Sequence, residues 1–276
     1  MRILVLGGRG MAGHMLIDYL RRETGHDVRY TTRDASDAQG ICLDAADLPS
    51  VEKLLEQLRP DAVINAIGML NEHAASNEEE AFYVNGLLPH HLRRLVERNG
   101  GKLVHISTDC VFSGERGDYE EGDLPDGTSV YARSKAMGEV RSPLHLTIRT
   151  SIIGPEIRDN GIGLFAWFMK QKGVVKGYTR VMWNGVTTLQ LAKSAVRMLE
   201  GGVTGLYHLT AADKASKCEL LRMFQAAFDK EDVTIVPDDA IRLDRTLRNT
   251  RSDFDPKVPA LSVMISEMRE WMEGRR

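Results

Sequence analysis

Residues 2–16 read "RILVLGGRGMAGHML", and this stretch decides the fold. Ile3 to Leu6 is an apolar run of strand length, Gly7, Gly10 and Gly13 recur at every third position, and a helical pattern begins at Met11. A strand, a glycine turn and a helix in that order meet three physical needs of a dinucleotide. The turn is tight, the backbone is bare where a pyrophosphate approaches, and the free N–H groups of the helix N-terminus face the phosphates. A glycine triplet alone is weak evidence. Its place between a strand and a helix favours the dinucleotide reading over a merely structural turn. Met11 and Arg9 are counted with the glycines in this grip, since a guanidinium fork matches phosphate oxygens.

Working outward, strands and helices alternate. "HDVRYTTR" (26–33), "DAVINAIG" (61–68), "KLVHIST" (102–108) and "LTIRTSIIG" (146–154) read as strands. "LPSVEKLLEQLRP" (48–60) reads as an amphipathic helix stopped by proline, and "EEEAFYVNGLLPHHLRRLVERNG" (78–100) as one long helix closed by glycine. Such alternation implies parallel βαβ units with right-handed crossovers. The expected fold is α/β: a Rossmann-type doubly wound parallel sheet with a smaller C-terminal substrate-binding lobe. Residues 1–150 form the expected dinucleotide-binding domain, its sheet completed by part of 180–205, and 151–276 form mainly the substrate-binding lobe. In the latter, "TTLQLAKSAVRMLEGG" (187–202) reads as a sheet-flanking helix and "GLYHLT" (205–210) as a short strand. Helices in "CELLRMFQAAFD" (218–229) and "LSVMISEMREWMEG" (261–274) flank a polar linker.

Bulk properties narrow the classes. The 276 residues are 42% hydrophobic and 27% charged, ordinary values for a soluble globular protein. The net charge of -3 offers no basic field for nucleic acid or an anionic membrane, so neither partner is expected. "ILVLGG" is too short to span a bilayer and lacks a signal-peptide layout. The three cysteines (Cys42, Cys110, Cys218) are widely spaced with no CxxC pair. No disulfide framework or zinc site is expected, and a reducing cytoplasm is the expected setting.

The end of the second strand should meet the adenosine ribose. "YTTRD" (30–34) brings Arg33 before any carboxylate, and two threonine hydroxyls with a guanidinium suit a 2′-phosphate. NADPH is therefore the expected cofactor, with NADH possible; a solvated surface arginine is the alternative reading of Arg33. Asp44 has two readings, contact with the adenine amine or an Asx turn before the next helix. "HISTDCVFSG" (105–114) ends a strand with Ser107, Thr108 and Asp109, at the edge where ligands of doubly wound sheets sit. "VYARSKAMGEV" (130–140) places Tyr131 and Lys135 one helical turn apart, on one face. A nearby ammonium favours the phenolate and lowers the tyrosine pKa, and a hydroxyl at the neighbouring strand end polarises a carbonyl oxygen. Together they fit hydride transfer to a ketone, with tyrosine protonating the emerging alkoxide.

The glycine turn, "NAIG", "STDCVFSG" and "YARSKAMGE", followed by "IRTSIIG", "VMWNGVTT" and "GLYHLT", resemble the extended short-chain dehydrogenase/reductase superfamily. More narrowly they are similar to its dTDP-4-dehydrorhamnose reductase group of sugar-nucleotide reductases. The resemblance implies an NAD(P)H-dependent oxidoreductase that reduces the 4-keto group of a nucleotide-linked 4-keto-6-deoxyhexose, in surface polysaccharide or glycan precursor biosynthesis. It implies that Thr108 binds the carbonyl, Tyr131 donates the proton, and Lys135 lowers the tyrosine pKa and holds the ribose. Asn65, Ala66 and Gly68 would line the cofactor, and Arg149 and Thr150 would sit beside its nicotinamide end. Ser107, Asp109, Cys110, Arg149 and Asn184 would face the substrate, although the Asn-Gly turn explains Asn184 equally well. A homodimer is common in relatives.

The chain also departs from the group. Cys110 stands where a tyrosine is usual, and "NAIGMLNEHAAS" replaces the usual "NAAAYTAVDKAE" style, altering the wall that faces the hexose. A buried filler is the simpler reading of Cys110 than a reactive thiol. Two rivals share the fold. A sugar-nucleotide epimerase or dehydratase is one, although dehydratases tend to show an Asp-Glu pair where this chain has Asp109 and Cys110. The other is a non-catalytic NADP-binding regulatory subunit, such as that of methionine adenosyltransferase, which does not require the intact Thr/Tyr/Lys set. Outside the motifs, His90 and His91 lack further metal ligands, and "EEE" at 78–80 suits a helix first turn. "FAWFM" (165–169) reads as lobe packing or base stacking. Arg242, Arg245, Arg248 and Arg251 read as a pyrophosphate site or a basic loop.

Overall fold

The computed structural model describes residues 1–157 and 161–274. Strand and helix alternate from the start: β1 (Arg2–Leu6), α1 (Met11–Glu23), β2 (Asp27–Thr32), β3 (Ile41–Cys42), α2 (Leu48–Leu58), β4 (Ala62–Asn65). Then follow α3 (Asn71–Ser76), α4 (Glu78–Ala81), α5 (Leu88–Arg98), β5 (Lys102–Thr108), α6 (Val130–Met137) and β6 (Leu146–Thr150). The rest comprises β7 (Ile152–Ile153), α7 (Leu164–Lys170), β8 (Gly173–Trp183), β9 (Val186–Thr187), α8 (Thr188–Glu200) and β10 (Gly205–His208). It ends with β11 (Ala215–Ser216), α9 (Lys217–Ala227), β12 (Val233–Asp244) and α10 (Leu261–Glu273).

Seven parallel strands form the main sheet in the order β10-β6-β5-β4-β1-β2-β3. Alternate residues of β1 explain why it is apolar throughout. Ile3 and Val5 enter a core shared with α1, α8 and α10, while Leu4 and Leu6 enter a second core with α2 and α5. This is the doubly wound arrangement expected. The chain winds from β1 to β2 and β3 on one side and to β4 and β5 on the other, so the topological switch lies at β1 and β4. There, a crevice opens at the strand carboxyl ends. The seventh strand starts at Gly205, where the range expected to complete the sheet (180–205) ends. Within that range α8 covers the sheet, packed on α1.

The C-terminal elements add a three-stranded sheet, β11-β8-β12, and a two-stranded one, β7-β9. The stretch expected to be a polar linker contains β12, parallel to β8 with a register shift between Asp238 and Arg242. Its alternation is faint because it is an edge strand with many exposed positions and a proline, Pro237. Caps set several boundaries. Asp47 accepts from the Ser50 N–H at the head of α2, Ser129 from the Ala132 N–H at α6, and Ser216 with Glu219 forms a capping box at α9.

The long helix expected over 78–100 is one helical run with a π-helical segment, Phe82–Leu87, between α4 and α5. Pro89 supplies the reason: it has no N–H, and its ring clashes with the carbonyl of Asn85 four residues earlier. The backbone near Asn85 is then closely met by Gly138, where a Cβ would lie 1.9 Å from the Asn85 oxygen. Among the described residues, no helix is long and apolar enough to cross a membrane.

Candidate active site

The crevice begins with the glycine turn. Gly7 has φ of +83°, a conformation that favours glycine. A Cβ on Gly13 would lie 2.1 Å from the Gly7 carbonyl oxygen, so only glycine lets α1 pack this closely on its turn. No side chain caps α1 and its first turn holds no acidic residue, leaving N–H groups and the positive end of the helix dipole toward the crevice. Gly7, Gly10, Met11, Ala66 and Gly68 line that crevice, as do Arg9, Arg33 and Asp44. A bare backbone, an uncapped helix and an exposed guanidinium are a donor set that fits an anionic dinucleotide.

Several residues differ in detail from expectation. The Thr31 hydroxyl accepts from the Gly7 N–H at 3.2 Å and that of Thr32 from the Asp34 N–H at 3.0 Å, so both shape the turns while they also line the crevice. Arg9 is held between Asp34 (3.6 Å) and Asp37 (3.5 Å). Arg33 is exposed at the crevice. Asp44 does form the Asx turn, accepting from the Ala46 N–H at 3.0 Å, while it also lines the crevice. Asn65 requires a correction: it is fully buried beneath the crevice. Its oxygen accepts from the Ile67 N–H at 3.2 Å and its amide lies 3.2 Å from His105 Nδ1. It shapes the turn that carries Ala66 and Gly68 and does not line the cofactor crevice.

At the end of β5, Thr108 Oγ accepts from the Cys110 N–H and donates to Asp109 Oδ1, both at 3.1 Å. Tyr131, on the first turn of α6, is buried with Met69 and Cys110 packed around it. Met69 also lines the crevice, which links the two regions. Burial above all raises the phenol pKa, with Cys110 and Asp109 adding to it and the Thr108 hydroxyl opposing. The net shift is upward because burial outweighs the influences that favour the phenolate. Lys135 is 3% exposed and donates from Nζ to the Ile106 carbonyl at 2.7 Å. Its own pKa falls to about 8 through burial, against the pull of Glu139. A phenol held protonated is suited to giving a proton, while a lysine pinned to β5 retains two N–H donors for a ligand.

Three expected substrate contacts are also corrected. Arg149 is fully buried and bonds Glu139 through Nε (2.7 Å) and Nη2 (2.6 Å), with Nη1 2.9 Å from His208 Nε2. Ser107 donates to the same Glu139 at 2.9 Å. Thr150, expected beside the nicotinamide end, is buried and donates to the Leu209 carbonyl at 2.7 Å. Asn184 clamps Leu247, donating to its carbonyl at 2.7 Å and accepting from its N–H at 3.0 Å. Asp109 and Cys110, in contrast, lie where two cations not paired with them in the sequence reading converge. Burial raises the Asp109 carboxyl pKa, with Lys217 the strongest opposing influence and Arg245 another. Arg245 donates from Nε to the Phe112 carbonyl at 2.9 Å, and its Nη1 is 3.6 Å from Cys110 Sγ. Burial pushes the Cys110 thiol up to about 12, so it is a filler and not a nucleophile.

Arg245 was marked by its arginine-rich stretch; nothing local marks Lys217, which opens an ordinary amphipathic helix. The remaining arginines are placed differently: Arg248 pairs with Glu120 at 3.2 Å, and Arg251 donates to the Leu206 carbonyl at 3.2 Å. Phe165 and Phe168 pack on Phe224, with ring centroids 5.4 and 6.1 Å away, so these aromatics of "FAWFM" serve packing between α7 and α9. His90 Nε2 lies 2.7 Å from the Met137 carbonyl oxygen.

Comparison with known proteins agrees with this arrangement. The family model for the RmlD substrate binding domain matches residues 1–273. A probable low-salt glycan biosynthesis reductase of Haloferax volcanii is 30% identical over 227 residues, covering 76% of this chain and 75% of that protein. A dTDP-4-keto-6-deoxy-D-glucose reductase of Streptomyces niveus is 29% identical over 239 residues, covering 80% and 77%. The crystal structure of a hypothetical dTDP-4-dehydrorhamnose reductase from Sulfolobus tokodaii has a TM-score of 0.77 and 27% identity, covering 90% of this chain and 92% of that one. The chain belongs to the RmlD substrate-binding domain family.

Proposed function

We infer that the protein is an NADPH-dependent reductase of the 4-keto group of a nucleotide-linked 4-keto-6-deoxyhexose, serving glycan or surface-polysaccharide precursor synthesis. The observation that carries this reading is the buried, protonated Tyr131 beside Thr108, with Met69 joining it to a phosphate-friendly crevice. The names of the relatives support the sugar-nucleotide substrate class.

Reduced nicotinamide, when bound, supplies the hydride for such a reaction. Tyr131 Oη gives its proton to the substrate oxygen. Thr108 Oγ, fixed by the Cys110 N–H, is available to the same oxygen once its hydroxyl rotates from Asp109. Lys135 holds the cofactor ribose with the two N–H donors not used on Ile106. Gly7, Gly10, Met11 and Gly13 receive the pyrophosphate, and Arg33 meets the 2′-phosphate. Residues up to about 150 hold the cofactor, and the later ones supply Lys217 and Arg245 to the sugar side. A homodimer in a reducing cytoplasm is the proposed working form, to be checked by light scattering and by fractionation.

The test is NADPH oxidation, followed by its absorbance, against a panel of 4-keto sugar nucleotides. Net consumption with at least one of them is expected. An epimerase would interconvert a sugar nucleotide without consuming NADPH. Binding of NADPH with no turnover of any panel member would instead indicate a regulatory subunit.

A further inference from the structure

Tyr131 and Lys135 come from α6 and Thr108 from β5, and these elements are tied at Glu139. Glu139 follows Lys135 by four residues, in the turn that ends α6. Its side chain is 3% exposed, yet it accepts three hydrogen bonds: from Ser107 Oγ at 2.9 Å, Arg149 Nε at 2.7 Å and Arg149 Nη2 at 2.6 Å. Ser107 precedes Thr108 on β5, and Arg149 stands opposite Ser107 in the β5–β6 register. The carboxylate therefore joins the helix bearing the reactive pair to the strand ends beside it.

The surrounding charges are few. A guanidinium only donates, so His208 Nε2 must accept from Arg149; the neutral ring then carries its proton on Nδ1, directed at the Arg248 carbonyl 3.1 Å away. Arg141 reaches Glu139 at 3.8 Å from a half-exposed position. Facing Lys135 are Tyr131 on its own helix and His105 on β5, whose pKa is held well below the usual range by burial, then by Lys135. His90 on α5 lies farther off, against Met137. A buried ion pair adds little stability over apolar packing of the same volume, so its place beside the reactive helix calls for another role.

We propose that Glu139 is a positioning residue for the reactive pair, holding α6 in register with the Thr108 strand end and setting a carboxylate one short turn from the Lys135 ammonium. The role rests on the reductase reading for its kinetic consequences, but not for its electrostatic one. Lys135 is under two opposed influences, burial against the ammonium and Glu139 for it. Without that carboxylate the lysine loses its proton at lower pH.

The experiment uses the full chain labelled with ¹³Cε-lysine, Lys135→Arg assigning the signal, titrated across neutral and alkaline pH. In E139Q the Lys135 midpoint should fall by roughly half a unit to one unit, because the carboxylate is lost while the Arg149 cation stays. The alkaline limb of kcat/KM should move down with it. Where E139Q leaves Arg149 unpaired and the protein does not fold, E139Q/R149M removes both charges and should still lower the midpoint, by less than E139Q, because the lost guanidinium offsets part of the lost carboxylate. S107A, which cuts only the tie to β5, should lower kcat several-fold with the Lys135 midpoint and the KM for NADPH unmoved. A Lys135 midpoint equal to the parent's in whichever Glu139 variant folds overturns the electrostatic role, and a parental kcat in S107A overturns the positioning role. The lysine titration needs no substrate, so a parent that reduced no keto-sugar nucleotide would sink the functional reading and leave this test intact.

Discussion

Gly13→Ala adds one methyl group, and its consequence can be worked from distances. The new Cβ would lie 2.1 Å from the Gly7 oxygen, 2.9 Å from its carbonyl carbon and 3.1 Å from the Gly8 Cα, where ordinary contact starts at 3.4 Å. All three atoms are backbone, so no side chain can swing aside. Either α1 retreats by more than an ångström or the turn opens. Overpacking of this kind costs about 1–3 kcal/mol. At roughly 2–4 °C per kcal/mol for a chain of this size, the Tm should drop by about 2–12 °C. The same displacement draws the α1 N–H groups and the Gly7 turn out of alignment with a pyrophosphate, so NADPH affinity should weaken at least about tenfold, or 1.4 kcal/mol. Differential scanning fluorimetry and a fluorescence titration with NADPH read the two effects. Gly25→Ala is the control, since a Cβ there meets nothing within 4 Å and both values should match the parent. A Gly13→Ala protein that melts and binds NADPH like the parent would falsify the close-packing argument and the pyrophosphate assignment together.

Other outcomes are equally concrete. Tyr131→Phe should lower kcat by about 10²–10⁴, the usual yield of a positioned proton donor, with NADPH affinity unchanged; steady-state kinetics beside a binding titration decide it, and near-parental kcat would exclude Tyr131 as the donor. Lys135→Met should abolish turnover while raising the Tm at neutral pH. Its pKa near 8 lies below the unfolded value, so the unfolded chain binds the extra proton and the penalty is full below about pH 8, fading as pH rises toward the unfolded value. The gain is roughly 1–3 kcal/mol once the lost bond to Ile106 is discounted, and melts taken at neutral and alkaline pH should converge with the parent's at the upper end. Arg33→Ala should weaken NADPH without weakening NADH, read as the ratio of their Kd values; an unchanged ratio would return Arg33 to a solvated surface role. At neutral pH an alkylating reagent should label exposed Cys42 and spare Cys110, as judged by peptide mass spectrometry.

Local periodicity along the chain carries part of this fold. The β1–glycine–α1 unit, the alternation that makes a doubly wound sheet, and the one-turn spacing of Tyr131 and Lys135 all depend on residues within a few positions of one another. Hydrogen-bond ladders, turn sterics and helix geometry fix them before any distant segment arrives. The tertiary structure alone decided which polar groups face the crevice and which face inward. Asn65 ends a strand as Thr108 does and Arg149 lies one residue before a strand end, yet the packing sets Asn65 against His105 and Arg149 against Glu139, so both are buried ties. Likewise, Arg245 meets Cys110 from 135 positions away and Lys217 acts on Asp109 from the start of α9. β12 carries little alternation because an edge strand needs little of its own when β8 supplies its partners. Spacing along a chain reports which side chains share a face. What that face meets is set by packing between remote elements, where burial turns the same carboxylate or guanidinium from a ligand contact into a structural one.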